Sequence, residues 1–209
     1  NVPGLKVITP ASPADAKGLL RTAIDSEDPV LCFEAVPLWG TKEDVDEDEY
    51  RIPFGSARTL REGDDITIVA ISGSVIEAKA AADELAEEGI SAEVIDPRTL
   101  VPLDCEAIIR SVERTGRIVI AEPAHRTCGA AAEISAIVAE EAIHSLRGPV
   151  LRVTAPDMQI PFSPKLESLL YPTREKISDA ARRVLGEAPR GRRHSGEPGV
   201  YADSKKAPR

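Results

Sequence analysis

Between Glu62 and Leu103 the chain switches from one apolar pattern to another and back. Ile66 to Ile71 is an apolar run broken only by Thr67, too short for an isolated buried helix. Ser72-Gly73-Ser74 turns it into a segment with Val75, Ala78, Ala82 and Leu85 at spacings of three or four, the period of a helix with one buried face. Gly89 stops that helix, and Ala92 to Ile95 begins a second strand. A strand buried on both faces, an amphipathic helix and another such strand predict a right-handed βαβ unit in a parallel sheet.

The theme recurs downstream. Asp104 predicts a cap for a helix carrying Ile108, Ile109 and Val112, closed by Gly116. Arg117 to Ala121 is a third strand, ending at Glu122-Pro123, and a helix from about Gly129 turns Ile134, Ile137, Val138 and Ala142 inward. Val150 to Thr154 is a fourth strand. After a proline-bearing loop, Glu175 to Leu185 closes the fold with Ile177, Ala181 and Val184 on one face. Glycine just past each helix, at Gly89, Gly116, Gly148 and Gly186, fits the left-handed C-terminal position. The expected class is α/β, three-layered, with a mostly parallel twisted sheet.

Upstream, Leu5–Thr9 reads as a strand, and Ser12 with Pro13 opens a helix whose stripe is Ala16, Leu19, Leu20, Ala23 and Ile24. Val30–Phe33 is another strand. This strand–helix–strand is too small to stand alone and reads as the end of an upstream domain, over residues 1–40. Residues 41–49 (TKEDVDEDE) are dense in acids and predict an exposed linker. Residues 50–186 form the main domain, and the Pro-, Gly- and Arg-rich stretch 187–209 is expected to be disordered.

A net charge of -9 speaks against a nucleic-acid partner, and no apolar run approaches the roughly 20 residues needed to span a bilayer. The absence of a signal-peptide pattern and of a starting Met suggests a cytoplasmic chain, processed or cut from a longer one. Cys32, Cys105 and Cys128 are too scattered for a disulfide framework or a zinc site. No phosphate-binding glycine motif and no nucleophile elbow occurs. His144 and His194 are isolated. His125, in the loop Pro123–Cys128 after a strand ending at Glu122, lies where parallel sheets gather ligands. Ser72, Gly73 and Ser74 occupy the equivalent turn, a candidate anion seat at a helix start. His125 and Glu122 are thus the candidate functional side chains.

Several of these segments, in order, resemble a known family. PGLKVITPASPADAKGLLRTAI and DPVLCFE are similar to the end of the pyrimidine-binding domain in β subunits of thiamine-diphosphate-dependent 2-oxo acid dehydrogenases. REGDDITIVAISGSV, ISAEVIDPRTLVPLD, SVERTGRIVIAEPAHRTCGAAAEI and RVTAPDMQIPFSP resemble their transketolase-C-like domain, nearest to the pyruvate or acetoin types. The resemblance implies a decarboxylating component that works with an α subunit and a second β subunit. It also implies docking to a lipoyl acyltransferase core through that core's peripheral-subunit-binding module, in the cytoplasm or, in a eukaryote, the mitochondrial matrix. Thiamine diphosphate and magnesium belong to the full enzyme and are not expected on this chain alone, because the family's catalytic glutamate would precede Asn1 and no Gly-Asp-Gly occurs. A potassium ion is implied at the loop matching Ile24, Ser26 and Asp28. Two departures stand out: Cys128-Gly129-Ala130-Ala131 replaces a Gly-Gly-Phe-Gly, and Leu146-Arg147-Gly148-Pro149 replaces a Leu-Asp-Ala-Pro. The fold also admits a non-catalytic dimerisation or docking module, or a relative of transketolase or deoxyxylulose-phosphate synthase.

Overall fold

The computed structural model describes residues 2–186, and the predicted tail 187–209 lies outside the described residues. Among the described residues eight strands form two sheets. The larger contains β3 (Arg58–Arg61), β4 (Ile66–Ala70), β5 (Ala92–Asp96), β7 (Ile118–His125) and β8 (Leu151–Ala155), ordered β3-β5-β4-β7-β8. All neighbours are parallel except β3, which runs antiparallel to β5 at one edge. Every residue of β4 and β5 is buried, as strands covered on both faces require.

Alternate residues of the sheet feed two cores. Ile66, Ile68, Ala70, Val94 and Val119 pack with α2 (Ser74–Glu87) and with α6 (Arg174–Leu185), which follows the short α5 (Pro164–Glu167), through Val75, Ala78, Leu85, Ile177 and Val184. Val69, Ile71, Ile118 and Ile120 pack with α3 (Cys105–Thr115) and α4 (Ala130–Glu141) through Ile108, Val112, Ile134 and Val138. The outcome is the predicted three-layer sandwich. Each wholly buried Ile or Val contributes roughly 1.5–3 kcal/mol through area removed from water. Thr67, the polar break in the first run, is buried but satisfied: its Oγ1 lies 2.6 Å from Ser111 Oγ and 2.8 Å from Thr115 Oγ1 on α3. Ser111 in turn donates to Glu93, which also holds Arg114 at 2.5 Å. On the opposite side Arg182 of α6, only 3% exposed, grips Glu84 at 2.6 Å and Glu88 at 2.7 Å.

Capping follows the sequence closely. Ser12 accepts from the Asp15 amide at the start of α1 (Pro13–Ile24), Asp104 from the Ala107 amide, and Thr173 from the Lys176 amide. Gly89, Gly116 and Gly186 have φ of +82°, +70° and +82°, as expected of C-terminal glycines. Gly148 does not cap α4, which ends at Glu141 and passes through a 3₁₀ turn at Ile143–Ser145. The glycine instead lets the chain close on α6, since a Cβ there would stand 2.8 Å from the Val184 carbonyl oxygen.

The smaller sheet has the order β2-β1-β6, from β1 (Lys6–Ile8), β2 (Val30–Cys32) and β6 (Thr99–Val101). β1 pairs parallel with β2 and antiparallel with β6, so a strand contributed by the segment after β5 completes it. The predicted stripe of α1 holds at Leu19 but not at Ile24, which is 76% exposed; Asp15 and Gly18 are buried instead. Residues 41–49 lack regular structure and are largely exposed. They nevertheless run along α1: Lys17 donates to the Asp46 and Asp48 carbonyls, Arg21 pairs with Glu49 at 3.2 Å, and Tyr50 Oη donates to the Ala14 carbonyl at 2.7 Å. The acidic stretch is a strap on a basic helix face rather than a free linker.

Candidate functional site

At the carboxyl edge of the large sheet, β4 and β7 lead to helices on opposite sides, the place where open α/β sheets form a crevice. Glu122 lies there, 4% exposed, on β7. Its two carboxylate oxygens accept from the first amides of α4, Oε1 from Ala130 at 2.9 Å and Oε2 from Ala131 at 2.8 Å. An anion on a helix N-terminus satisfies orphan donors and complements the helix dipole. Gly129 makes room for it: a Cβ there would stand 2.6 Å from Glu122 Oε2 and 2.7 Å from the His125 carbonyl oxygen. Both acceptors of Glu122 are therefore committed to the helix. The residue before Gly129, Cys128, has φ +60°, a left-handed conformation unusual for a side chain with a Cβ.

His125 is not in a loop. β7 continues through Pro123, and His125 pairs with Ala155 across a bulge that follows Glu122. Its exposed ring meets the Met158 carbonyl oxygen through Nε2 at 3.0 Å. Beside it Asp157 accepts from Thr127 twice, from the amide at 3.0 Å and from Oγ1 at 2.6 Å. The Thr127 hydroxyl, then its amide, hold the Asp157 carboxyl below its usual value, with smaller help from His125 and Arg126. His125, Asp157, Met158, Gln159 and Ile160 line a shallow, open groove of about 510 Å³. The structure thus brings His125 to this groove and keeps Glu122 behind it, under α4.

The other candidate positions are already engaged. At Ser72-Gly73-Ser74 the first amides of α2 turn back on the chain, Ser74 N to the Ile71 carbonyl and Val75 N to the Ser72 carbonyl, both at 3.1 Å. Ser72 has φ +54°, and the buried Ser74 hydroxyl has no hydrogen-bond partner among the described residues. At the Ile24, Ser26, Asp28 loop the Lys6 ammonium stands 3.1 Å from Ser26 Oγ and 3.0 Å from Asp28 Oδ2. Burial pushes the Cys32 and Cys105 thiols up, with Glu34 and Asp104 adding to it, which disfavours thiolate chemistry at either. Arg147 is exposed, its amide donating to the Gly116 carbonyl at 2.7 Å.

Sequence reasoning missed a buried charge cluster where α1 meets the large sheet. Asp15, 1% exposed, stands 2.8 Å from Arg98 Nε and 3.6 Å from Arg58 Nη1. Asp96, the last residue of β5, accepts from the Arg98 amide at 2.8 Å through Oδ1, while the buried Oδ2 has no partner among the described residues. Burial pushes the Asp96 carboxyl up to about 7, the nearby negative Asp15 adds to that, and the Arg98 amide opposes it. The available signal was Ser12-x-x-Asp15, which predicts only a capped helix. Among the described residues no group of three or more His, Cys, Asp or Glu side chains is placed to hold a metal, and no helix is long and apolar enough to cross a membrane.

Comparison with known proteins agrees with this geometry. The family described as "Transketolase, C-terminal domain" matches residues 55–177. The β subunit of acetoin:2,6-dichlorophenolindophenol oxidoreductase from Bacillus subtilis (strain 168) is 46% identical over 187 residues, 90% of this chain and 55% of that protein. The β subunit of the pyruvate dehydrogenase E1 component from the same organism is 46% identical over 184 residues, 88% of this chain and 56% of that protein. The chain spans about half the length of the curated relatives it matches. Among solved structures, a split-gene transketolase described as an inactive β4 tetramer superposes with a TM-score of 0.74 at 29% identity, over 88% of this chain and 58% of the other. Transketolase from Pichia stipitis superposes at 0.58 with 18% identity, a likeness of fold alone.

Proposed function

The chain belongs to the transketolase C-terminal domain family, and on that premise we propose that it is the C-terminal part of the β subunit of a thiamine-diphosphate-dependent pyruvate or acetoin dehydrogenase. In this reading residues 1–40 end the pyrimidine-binding domain, 41–49 are the strap between domains, and 50–186 are the transketolase-C-like domain. Its work is architectural: to pair with a second β subunit, to hold the α subunit and to present a face to the acyltransferase core. The observation that carries the reading is that 46% identity extends over 187 residues, well beyond the 55–177 of the domain itself. A match of that length takes in the strap and the β2 strand of the small sheet as well.

The two helix starts at the carboxyl edge of the sheet are engaged and do not fit a diphosphate. The start of α2 has its amides turned onto Ile71 and Ser72, and Glu122 already fills the start of α4. No catalytic step is assigned to this chain, and His125 is a candidate only for the groove at the rim. Potassium at Ile24, Ser26 and Asp28 would rest mainly on main-chain carbonyls, since Lys6 takes Ser26 Oγ and one carboxylate oxygen of Asp28.

Native mass spectrometry of the chain, alone and mixed with the α subunit of a pyruvate- or acetoin-type enzyme, tests the proposal. A β dimer that takes up α, with no oxidoreductase activity until the remainder of β is supplied, is the expected outcome. A dimer that ignores α would leave a docking module, and transfer of a ketol unit between sugar phosphates would place the chain with the transketolases it resembles in fold.

A further inference from the structure

Arg126 follows β7 and Arg152 lies in β8, and each guanidinium reaches back to the other's main chain. Arg126 Nη1 donates to the Arg152 carbonyl at 3.2 Å, and Arg152 Nη1 donates to the Arg126 carbonyl at 3.0 Å. The exchange fixes both half-buried side chains in one neighbourhood, with one donor nitrogen of each tethered. Among the described residues no carboxylate oxygen lies within 4.0 Å of either, whereas Arg58, Arg98, Arg114 and Arg182 all have such partners. Arg126 Nε is buried and makes no hydrogen bond among the described residues. Asp157 is close enough to feel the charge of Arg126, but both of its oxygens are held by Thr127. In a chain of net charge -9, a preformed pair of unmatched guanidiniums is a local reversal of sign.

Their place in the fold says what kind of anion they suit. β8 ends the large sheet, and among the described residues no strand pairs with its outer side. The loop leaving β8 exposes Met158 and, completely, Phe162. An open strand edge accepts an extended chain through main-chain hydrogen bonds, and a guanidinium binds a carboxylate through two parallel N–H donors. We infer that the β8 edge, with Arg126 and Arg152, docks an extended acidic segment of a partner protein. The carboxylates sit on the guanidiniums, and the apolar loop beside them covers the partner's uncharged side chains. This surface does not depend on the catalytic assignment above.

The test uses a fluorescein-labelled peptide of alternating Glu and Thr, about ten residues long to match an extended strand, and its Gln-for-Glu counterpart. Fluorescence anisotropy should show binding of the acidic peptide that weakens with salt and is at least about tenfold tighter than for the neutral one. Amide exchange in residues 150–155 should slow on binding. R126Q/R152Q should weaken binding at least about tenfold, R126K/R152K should weaken it less because charge remains without the bidentate fork, and R183Q should change nothing. Thermal melts of the Lys pair confirm that its fold is intact. No binding, binding unaltered by R126Q/R152Q and R126K/R152K, or competition by millimolar inorganic phosphate that leaves β8 exchange unchanged, each overturns the proposal.

Discussion

Asp15 Oδ1 and Arg98 Nε meet at 2.8 Å, joining the first helix to the turn that follows the β5 strand of the large sheet. The N–H is not directed along the contact, so the attraction is ionic rather than a well-formed hydrogen bond. Asp15 is buried, Arg98 is largely so, and removing one leaves the other charged without its partner. Asp15→Ala should therefore lower unfolding stability by roughly 3 kcal/mol, read as a shift of the urea midpoint. An Asp15→Ala midpoint within error of the parent would show that the pair does not bind α1 to the sheet.

Asp96 sits behind that pair and should make stability depend on pH. Its folded value, about 7, lies above the roughly 3.9 of an unfolded aspartate. Between these values the folded state holds more protons than the unfolded one, so this group's contribution falls as pH rises from about 4 to about 7 and is flat beyond. Asp96→Asn keeps an acceptor for the Arg98 amide and removes the titration. The stability of Asp96→Asn relative to the parent should thus rise by about 1–3 kcal/mol between pH 5 and pH 8. Urea unfolding at both values measures it, and a constant difference between the two proteins would refute the assignment.

Much of this architecture was legible because the apolar patterns are local. Ile66–Ile71, the stripe of α2 and the cap residues Ser12, Asp104, Gly116 and Gly186 each act within a few residues of themselves. The edge strand β3 (RTLR) has too little apolar content to announce itself, and β6 (TLV) is a strand only because β1 lies beside it. Pro123 suggested that β7 stops, yet the bulge before His125 carries the strand past it. Glu122 was legible as a candidate position but not in its role, since the amides it accepts from belong to a helix start brought back over it. The Asp15–Arg98–Asp96 cluster joins segments that no spacing rule relates.

Glu122→Ala should uncap α4 and cost about 1–2 kcal/mol, whereas Glu122→Gln, which keeps one acceptor, should cost less. Amide exchange at Ala130 and Ala131 reports the loss directly. Gly129→Ala should be worse than its small size suggests, because the added methyl meets Glu122 and the His125 carbonyl at 2.6 and 2.7 Å. If Gly129→Ala is neutral in a thermal melt, the tight approach of Glu122 is not needed.

At Cys128 the opposite substitution should help. A non-glycine residue at φ +60° carries strain that glycine relieves, partly offset by the entropy glycine gives the unfolded chain. Cys128→Gly should raise stability by up to about 1 kcal/mol, and Cys128→Val, branched at Cβ, should lower it. Equal melting temperatures for the three proteins would count against strain at this turn.

The antiparallel pairing of Val7 with Val101 also has a meaning in time. During synthesis the first strand emerges long before the segment that will border it, and the whole β4–α2–β5 unit is made in between. Until then one edge of β1 has no neighbour within this stretch of chain, and its hydrogen-bonding groups face water or whatever else is at hand. Closing that distant contact is the slow kind of event in folding, so the small sheet should be the last part of the molecule to become protected from exchange.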